Sequence, residues 1–205
     1  MTRAMNPGMS RWLLRRAAAV MIAVVAVLGA HGDVRASVSI AVSWEDLLQT
    51  STVAAVMTPV DARSAWENGR IYTYSHVRVA REITGALPSG SDAWVRTMGG
   101  IVGDMGQRVE GEPQLVVGQP SLLFLQPGPN GFFHVTARAQ GQFPVVAASA
   151  QRPAYIVRST SVGALVPRQS STAAPTLLAA EALHGRTVDD AALEIVSAWG
   201  RTHVR

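Results

Sequence analysis

The chain has 205 residues, 48% of them hydrophobic and 16% charged, which excludes a collagen-like, coiled-coil or disordered chain. Its 18 basic residues are all arginine and it has no cysteine. Lysine Schiff-base enzymes, Walker-type P-loops, thiol nucleophiles, disulfides and thiolate metal sites are thereby excluded.

Residues 1–36 read as a secretory signal peptide. Arg11, Arg15 and Arg16 give a positive start, and Ala17 to Ala30 is free of charge. That run is too short to span about 30 Å of hydrocarbon as a helix. Val34-Arg35-Ala36 places modest or small residues before Ser37, so cleavage is expected after Ala36, with Ala30 as the alternative. An exported protein, periplasmic or extracellular, with no membrane span after cleavage, is the expectation. Five arginines (3, 11, 15, 16 and 35) and Asp33 leave with the signal. The remainder balances 13 arginines against 13 acidic residues. The isoelectric point near 10.6 therefore overstates its basicity, and no nucleic-acid partner is expected.

Residues 37–158 read as a β-barrel domain. Val38, Ile40 and Val42 alternate with Ser39, Ala41 and Ser43, the period of a half-buried strand. Trp44 to Gln49 suits one or two helical turns, and Thr52 to Val60 an apolar strand bent or placed at an edge by Pro59. Asn68-Gly69 between β-like runs signals a hairpin. Ile71 to Arg81 is the clearest strand. Ile71, Thr73, Ser75, Val77 and Val79 share one face; Tyr72, Tyr74, His76, Arg78 and Ala80 share the other. Gly85 to Ser91 reads as a turn, Ala93 to Met98 as a strand, and Gly99 to Pro113 as a long glycine-bearing loop. Ser121 to Gln126 is a compact apolar strand. Pro127 to Gly131 closes a second hairpin onto Phe132 to Ala137. Phe143 to Ala147 and Ala154 to Arg158 add two short strands.

The tail differs. Residues 159–175 read as a linker, and 176–203 as a helical hairpin. Its first arm, Thr176 to His184, is stopped by Gly185. Its second opens on Thr187-Val188-Asp189-Asp190, similar to a capping box, and carries Val188, Ala192, Ile195 and Trp199 at helical spacing. The fold class is mainly β: a small antiparallel barrel, OB-like, with a sandwich as the alternative, followed by the helical hairpin.

Motifs for chemistry are sparse. Gly99, Gly100, Gly103 and Gly106 follow a strand, but the spacing is not that of a phosphate loop and no helix pattern follows. His76, His134, His184 and His203 show no local metal spacing, so no metal or cofactor is expected. Glu110 and Glu112 read as a solvated pair. No nucleophile elbow occurs, and no catalytic residue is assigned. Tyr72, Tyr74, His76 and Arg78 are the ligand-binding candidates, because rings with an arginine on one strand face suit stacking. The competing expectation is that Trp199 and the C-terminal helices cover this face.

Ile71-Tyr72-Thr73, Val77, Val79, Gly85, Gly99-Gly100, Gly118 and Leu122 to Leu125 resemble a group of uncharacterised exported bacterial proteins. The order of elements over residues 50–147 is also distantly similar to the netrin-like OB barrel of the tissue inhibitors of metalloproteinases. That resemblance implies a five-stranded Greek-key barrel. It also implies that the free amino group and carbonyl of the first mature residue, here Ser37, chelate zinc in a target protease. The chain departs from the inhibitors in lacking all their cysteines. The expected function is a non-enzymatic interaction module whose partner is another envelope or extracellular protein. The alternatives are a metalloproteinase inhibitor or partner, and an enzyme without a recognisable motif.

Overall fold

The computed structural model describes residues 38–167 and 177–203. The expected signal peptide and residues 168–175 of the expected linker lie outside them. The described elements belong to one compact unit running from Ser37 onward.

Strand β1 (Val38–Ile40) leads to helix α1 (Trp44–Thr50), whose N-cap Ser43 side chain accepts the Asp46 N–H at 3.0 Å. Two long strands follow, β2 (Val53–Glu67) and β3 (Arg70–Thr84), then β4 (Asp92–Met98). A small hairpin, β5 (Gly100–Val102) and β6 (Met105–Gln107), fills part of the glycine-bearing loop. Next come β7 (Ser121–Pro127), β8 (Phe133–Val135), β9 (Gln142–Val146), β10 (Tyr155–Ile156) and β11 (Ala164–Val166). The chain ends in a single turn, α2 (Ala179–Ala182), and a longer helix, α3 (Val188–Thr202).

Five strands close on themselves. β2 pairs with β3, β3 with β4, β4 with β8, β8 with β7, and β7 returns to β2. Every pair is antiparallel except β4–β8. Numbered within the barrel, the order is 1-2-3-5-4-1 with one parallel pair. This is the connectivity of a small OB-like barrel. Register shifts in β2 between Ala54 and Ala55, between Val56 and Met57, and between Pro59 and Asp61 bend the long hairpin around the barrel.

The barrel interior is apolar at one end, where Val53, Ala55, Met57, Val77, Val79, Val95, Leu123 and Leu125 pack together. The opposite faces of β2 and β7 bury Ala54, Val56, Leu122 and Phe124 under α1, α3, β9 and β10. Trp44 and Phe143 meet the Phe124 ring edge-on at 5.5 and 6.0 Å. Covered on both faces, these stretches of β2 and β7 are continuous apolar runs, whereas β3 alternates because one of its faces stays open.

Both Asn-Gly turns have the backbone their residues favour: φ is 50° and 77° at Asn68 and Gly69, and 58° and 77° at Asn130 and Gly131. Several details differ from expectation. The strand expected to stop at Val60 runs to Glu67, because the bulge at Pro59 absorbs the missing donor and pairing resumes at Asp61. Val38 and Ile40 are 51% and 61% exposed, since β1 pairs not with the barrel but in parallel with β11. The first part of the expected linker is therefore ordered, with a tight turn at Thr160–Val162 before β11. The first arm of the helical hairpin is only one turn, ended at Gly185 (φ 79°). In the second arm the Thr187 hydroxyl accepts the Asp190 N–H at 3.1 Å, and Ile195 is fully buried. Among the described residues, no helix is long and apolar enough to cross a membrane.

Candidate functional site

The four candidates sit where alternation put them, on the outer wall of β3. Tyr72, Tyr74 and His76 are half-buried and Arg78 is exposed, while Ile71, Ser75, Val77 and Val79 point inward and are buried. Trp199 does not cover them. It packs at the edge of the cluster formed by α1, β7 and Phe143, and its ring stacks on His203 at 4.1 Å. The covering groups come instead from β2, β4 and the second Asn-Gly turn.

Register explains the assembly. Tyr74 lies opposite Arg63 of β2 and Arg96 of β4, and His76 lies opposite Asp61 and Trp94. The Arg96 guanidinium stacks over the Tyr72 ring, 3.5 Å from its centroid. Its Nη2 donates to Glu67 Oε2 at 2.7 Å and its Nε to the Tyr74 hydroxyl at 3.1 Å. That hydroxyl in turn donates to Glu67 Oε1. Phe132, just after the Asn130-Gly131 turn, tilts against Tyr74 at 4.7 Å between centroids. One end of the face is thus a closed network of Glu67, Tyr74, Arg96 and the two adjoining rings.

The other end is a ladder. His76 stacks on Trp94 at 4.9 Å, and the Arg63 guanidinium lies 5.1 Å from the Trp94 centroid. Asp92 joins the ladder, its Oδ1 3.2 Å from Arg78 Nε and 3.7 Å from His76 Nε2. Three arginines (63, 78, 96) face three carboxylates (Asp61, Glu67, Asp92), so the patch is mixed in sign. Hydrogen bonds from Tyr74, then from Arg96, hold the Glu67 carboxyl below the usual carboxylate range. Burial, then the bond to Glu67, pushes the Tyr74 phenol above its ordinary value.

Glu67, Arg63, Trp94, Arg96 and Phe132 complete the face and were not among the expected residues. Alternation along Ala93–Met98 does place Trp94 and Arg96 together. Their meeting with β3 depends on a register set across the Gly85–Ser91 turn, which sequence alone does not fix. His76 and His134 have different settings: His134 Nδ1 lies 3.2 Å from the Arg96 carbonyl oxygen, while His76 sits on Trp94. Among the described residues, no group of three His, Asp or Glu side chains is arranged to hold a metal ion.

Compared with known proteins, the chain matches no family model, no curated protein and no solved structure. The site's chemistry therefore rests on its own residues.

Proposed function

We propose that the protein is an exported, non-enzymatic interaction module that binds another envelope or extracellular protein through the outer face of β3. The observation that carries this reading is the face itself. Tyr72, Tyr74, His76, Trp94 and Phe132 lie half-exposed and interleaved with Arg63, Arg78 and Arg96. Tyrosine, tryptophan and arginine dominate the energetics of protein–protein contacts, and preordered rings lose little entropy on binding. The balance of charges favours a partner of mixed sign over a polyanion such as nucleic acid.

The test separates recognition from folding. Arg78 and Arg63 are exposed and lie at the rim, so Arg78→Ala and Arg63→Ala should fold normally. Chain beginning at Ser37 is used as bait on envelope extract, with circular dichroism as the folding control. The reading expects a captured protein to be lost with Trp94→Ala and weakened with both arginine variants. Capture that survives all three, with folding intact, overturns the site. Intact mass of exported material should begin at Ser37; a full-length species held in the inner membrane overturns the processing.

The second reading is a metalloproteinase inhibitor or partner. It is favoured by the anchoring of the chain just after Ser37. β1 is held by pairing Val38, Ser39 and Ile40 with Ala164, Leu165 and Val166. Gln140 adds two bonds of 2.9 Å, from the Val42 N–H and to the Ile40 carbonyl. These backbone contacts supply order that disulfides would otherwise provide. Titrating a zinc metalloproteinase with chain starting at Ser37, and with chain extended by one alanine, decides it. Inhibition abolished by the extension supports the reading; no inhibition by either removes it.

A further inference from the structure

The inner face of β3 changes character along its length. From the barrel's apolar end its inward residues run Val79, Val77, Ser75 and Thr73, and those of β4 run Ala93, Val95 and Thr97. The barrel is thus lined by aliphatic side chains at one end and by hydroxyls at the other. At the hydroxyl end lies a cleft of about 480 Å3, within the range of small-molecule sites. Thr73, Ser75 and Thr97 form one side, and Ile101, Val109 and Leu115 supply apolar surface on the other. Ser75 is fully buried, and its hydroxyl has no hydrogen-bond partner among the described residues. A site shaped only for stability would carry valine or alanine there.

The walls are fixed. Gln107 Oε1 accepts the Ile71 N–H at 2.7 Å, and Glu112 Oε2 accepts the Met98 N–H at 3.1 Å. Gln142 Nε2 donates to the Gln114 carbonyl at 2.7 Å. A Cβ at Gly99, where φ is 99°, would come within 2.7 Å of the Gln107 carbonyl oxygen, so the loop's approach to the barrel mouth requires glycine. Two charged side chains line the cleft. Glu112 is neutralised by Arg138, whose Nε lies 2.5 Å from its Oε1. Arg108 is exposed and has neither an ion pair nor a side-chain hydrogen bond among the described residues. The cleft therefore carries one uncompensated positive charge beside apolar and hydroxyl surface.

We propose that the barrel mouth binds a small amphipathic carboxylic acid. Its carboxylate is held by Arg108, and its apolar body lies against Val109 and Leu115 over the hydroxyl layer. This site is on the opposite face of β3 from the protein-binding surface and stands independently of it. The probe is octanoate, titrated calorimetrically into chain beginning at Ser37, with octanol and inorganic phosphate as comparisons. Octanoate should bind saturably, with octanol and phosphate each at least about tenfold weaker, the loss expected when one charge-assisted contact or the apolar body is missing. Arg108→Gln should weaken octanoate about tenfold without moving the melting temperature. Arg70→Gln, an exposed arginine outside the cleft, should leave octanoate binding unchanged. Amide shifts in the labelled protein should centre on Thr73, Thr97 and Arg108. The proposal is overturned if octanoate does not saturate, if octanol binds as well, if Arg70→Gln costs as much as Arg108→Gln, or if the shifts map elsewhere.

Discussion

Arg96→Ala tests whether the outer face of β3 is a preordered unit. The guanidinium lies 3.5 Å from the Tyr72 centroid and donates to the Tyr74 hydroxyl at 3.1 Å, with only 20% of its side chain exposed. A partly desolvated cation–π contact contributes about 1 kcal/mol. One hydrogen bond adds about 1 kcal/mol net. The ion pair with Glu67 adds little, because that carboxylate is about one-third exposed. The sum is about 2 kcal/mol, which for a domain of this size lowers the melting temperature by about 4–8 °C. Arg96→Lys keeps the charge but loses the planar fork, and should recover less than half of that. The assay is thermal denaturation followed by near-ultraviolet circular dichroism, where the released tyrosines also change the signal. An Arg96→Ala protein melting within 1 °C of the parent would refute the network as a structural element.

Gly69→Val and Gly131→Val should each destabilise by about 1 kcal/mol or more in urea unfolding, because both need positive φ although a Cβ meets nothing within 4 Å at either. Ile195→Ala should cost about 2–5 kcal/mol and Leu193→Ala less than about 0.5, since one is fully buried beneath α3 and the other is 72% exposed. Equal effects in that pair would mean α3 is not docked. Glu67→Gln should matter near neutral pH and cease to matter in acid. A carboxyl held low by Tyr74 and Arg96 contributes stability above its unfolded value of about 4.3 and loses it as pH falls through the lower folded value. Parent and variant melting temperatures should therefore begin to converge as pH falls below about 4.3, and a gap that stays constant in acid would contradict the ionised Glu67 as its source.

The architecture was legible wherever a residue pattern carried one physical cause. Alternation from Ile71 to Val79 fixed which side of β3 faces the core, and two Asn-Gly pairs fixed two turns, because both signals are local. The strand ending misplaced at Val60 has a local reason too: Pro59 reads as a terminator unless a bulge is known to follow. Long-range pairing was not legible. Val38 and Ile40 alternate like a half-buried strand, yet their partner is Ala164–Val166, more than a hundred residues away in a stretch whose composition suggests a linker. Likewise Tyr72, Tyr74, His76 and Arg78 were found by face. Glu67 and Arg96 reached the same face only through cross-strand register.

The division of labour on β3 follows from that register. A central strand covered on both sides would have no wall left for recognition, as in the apolar runs of β2 and β7. β3 is covered inward by the barrel, and along Tyr72 to Arg78 it stays open outward. Its odd-numbered positions can therefore serve packing and the inner cleft while its even-numbered ones carry rings and charge. Scaffold and recognition make opposite demands on the outer side chains. A scaffold satisfies every polar atom internally, while a recognition surface keeps some of them reachable. On the proposed reading the face does both in different places: Glu67, Tyr74 and Arg96 satisfy one another, whereas Arg63 and Arg78 reach solvent. Binding energy is then expected to concentrate around Trp94 and its flanking cations. The tyrosine network behind them should act chiefly by holding that end of the face rigid, so its loss should raise the entropy cost of binding before it removes any contact.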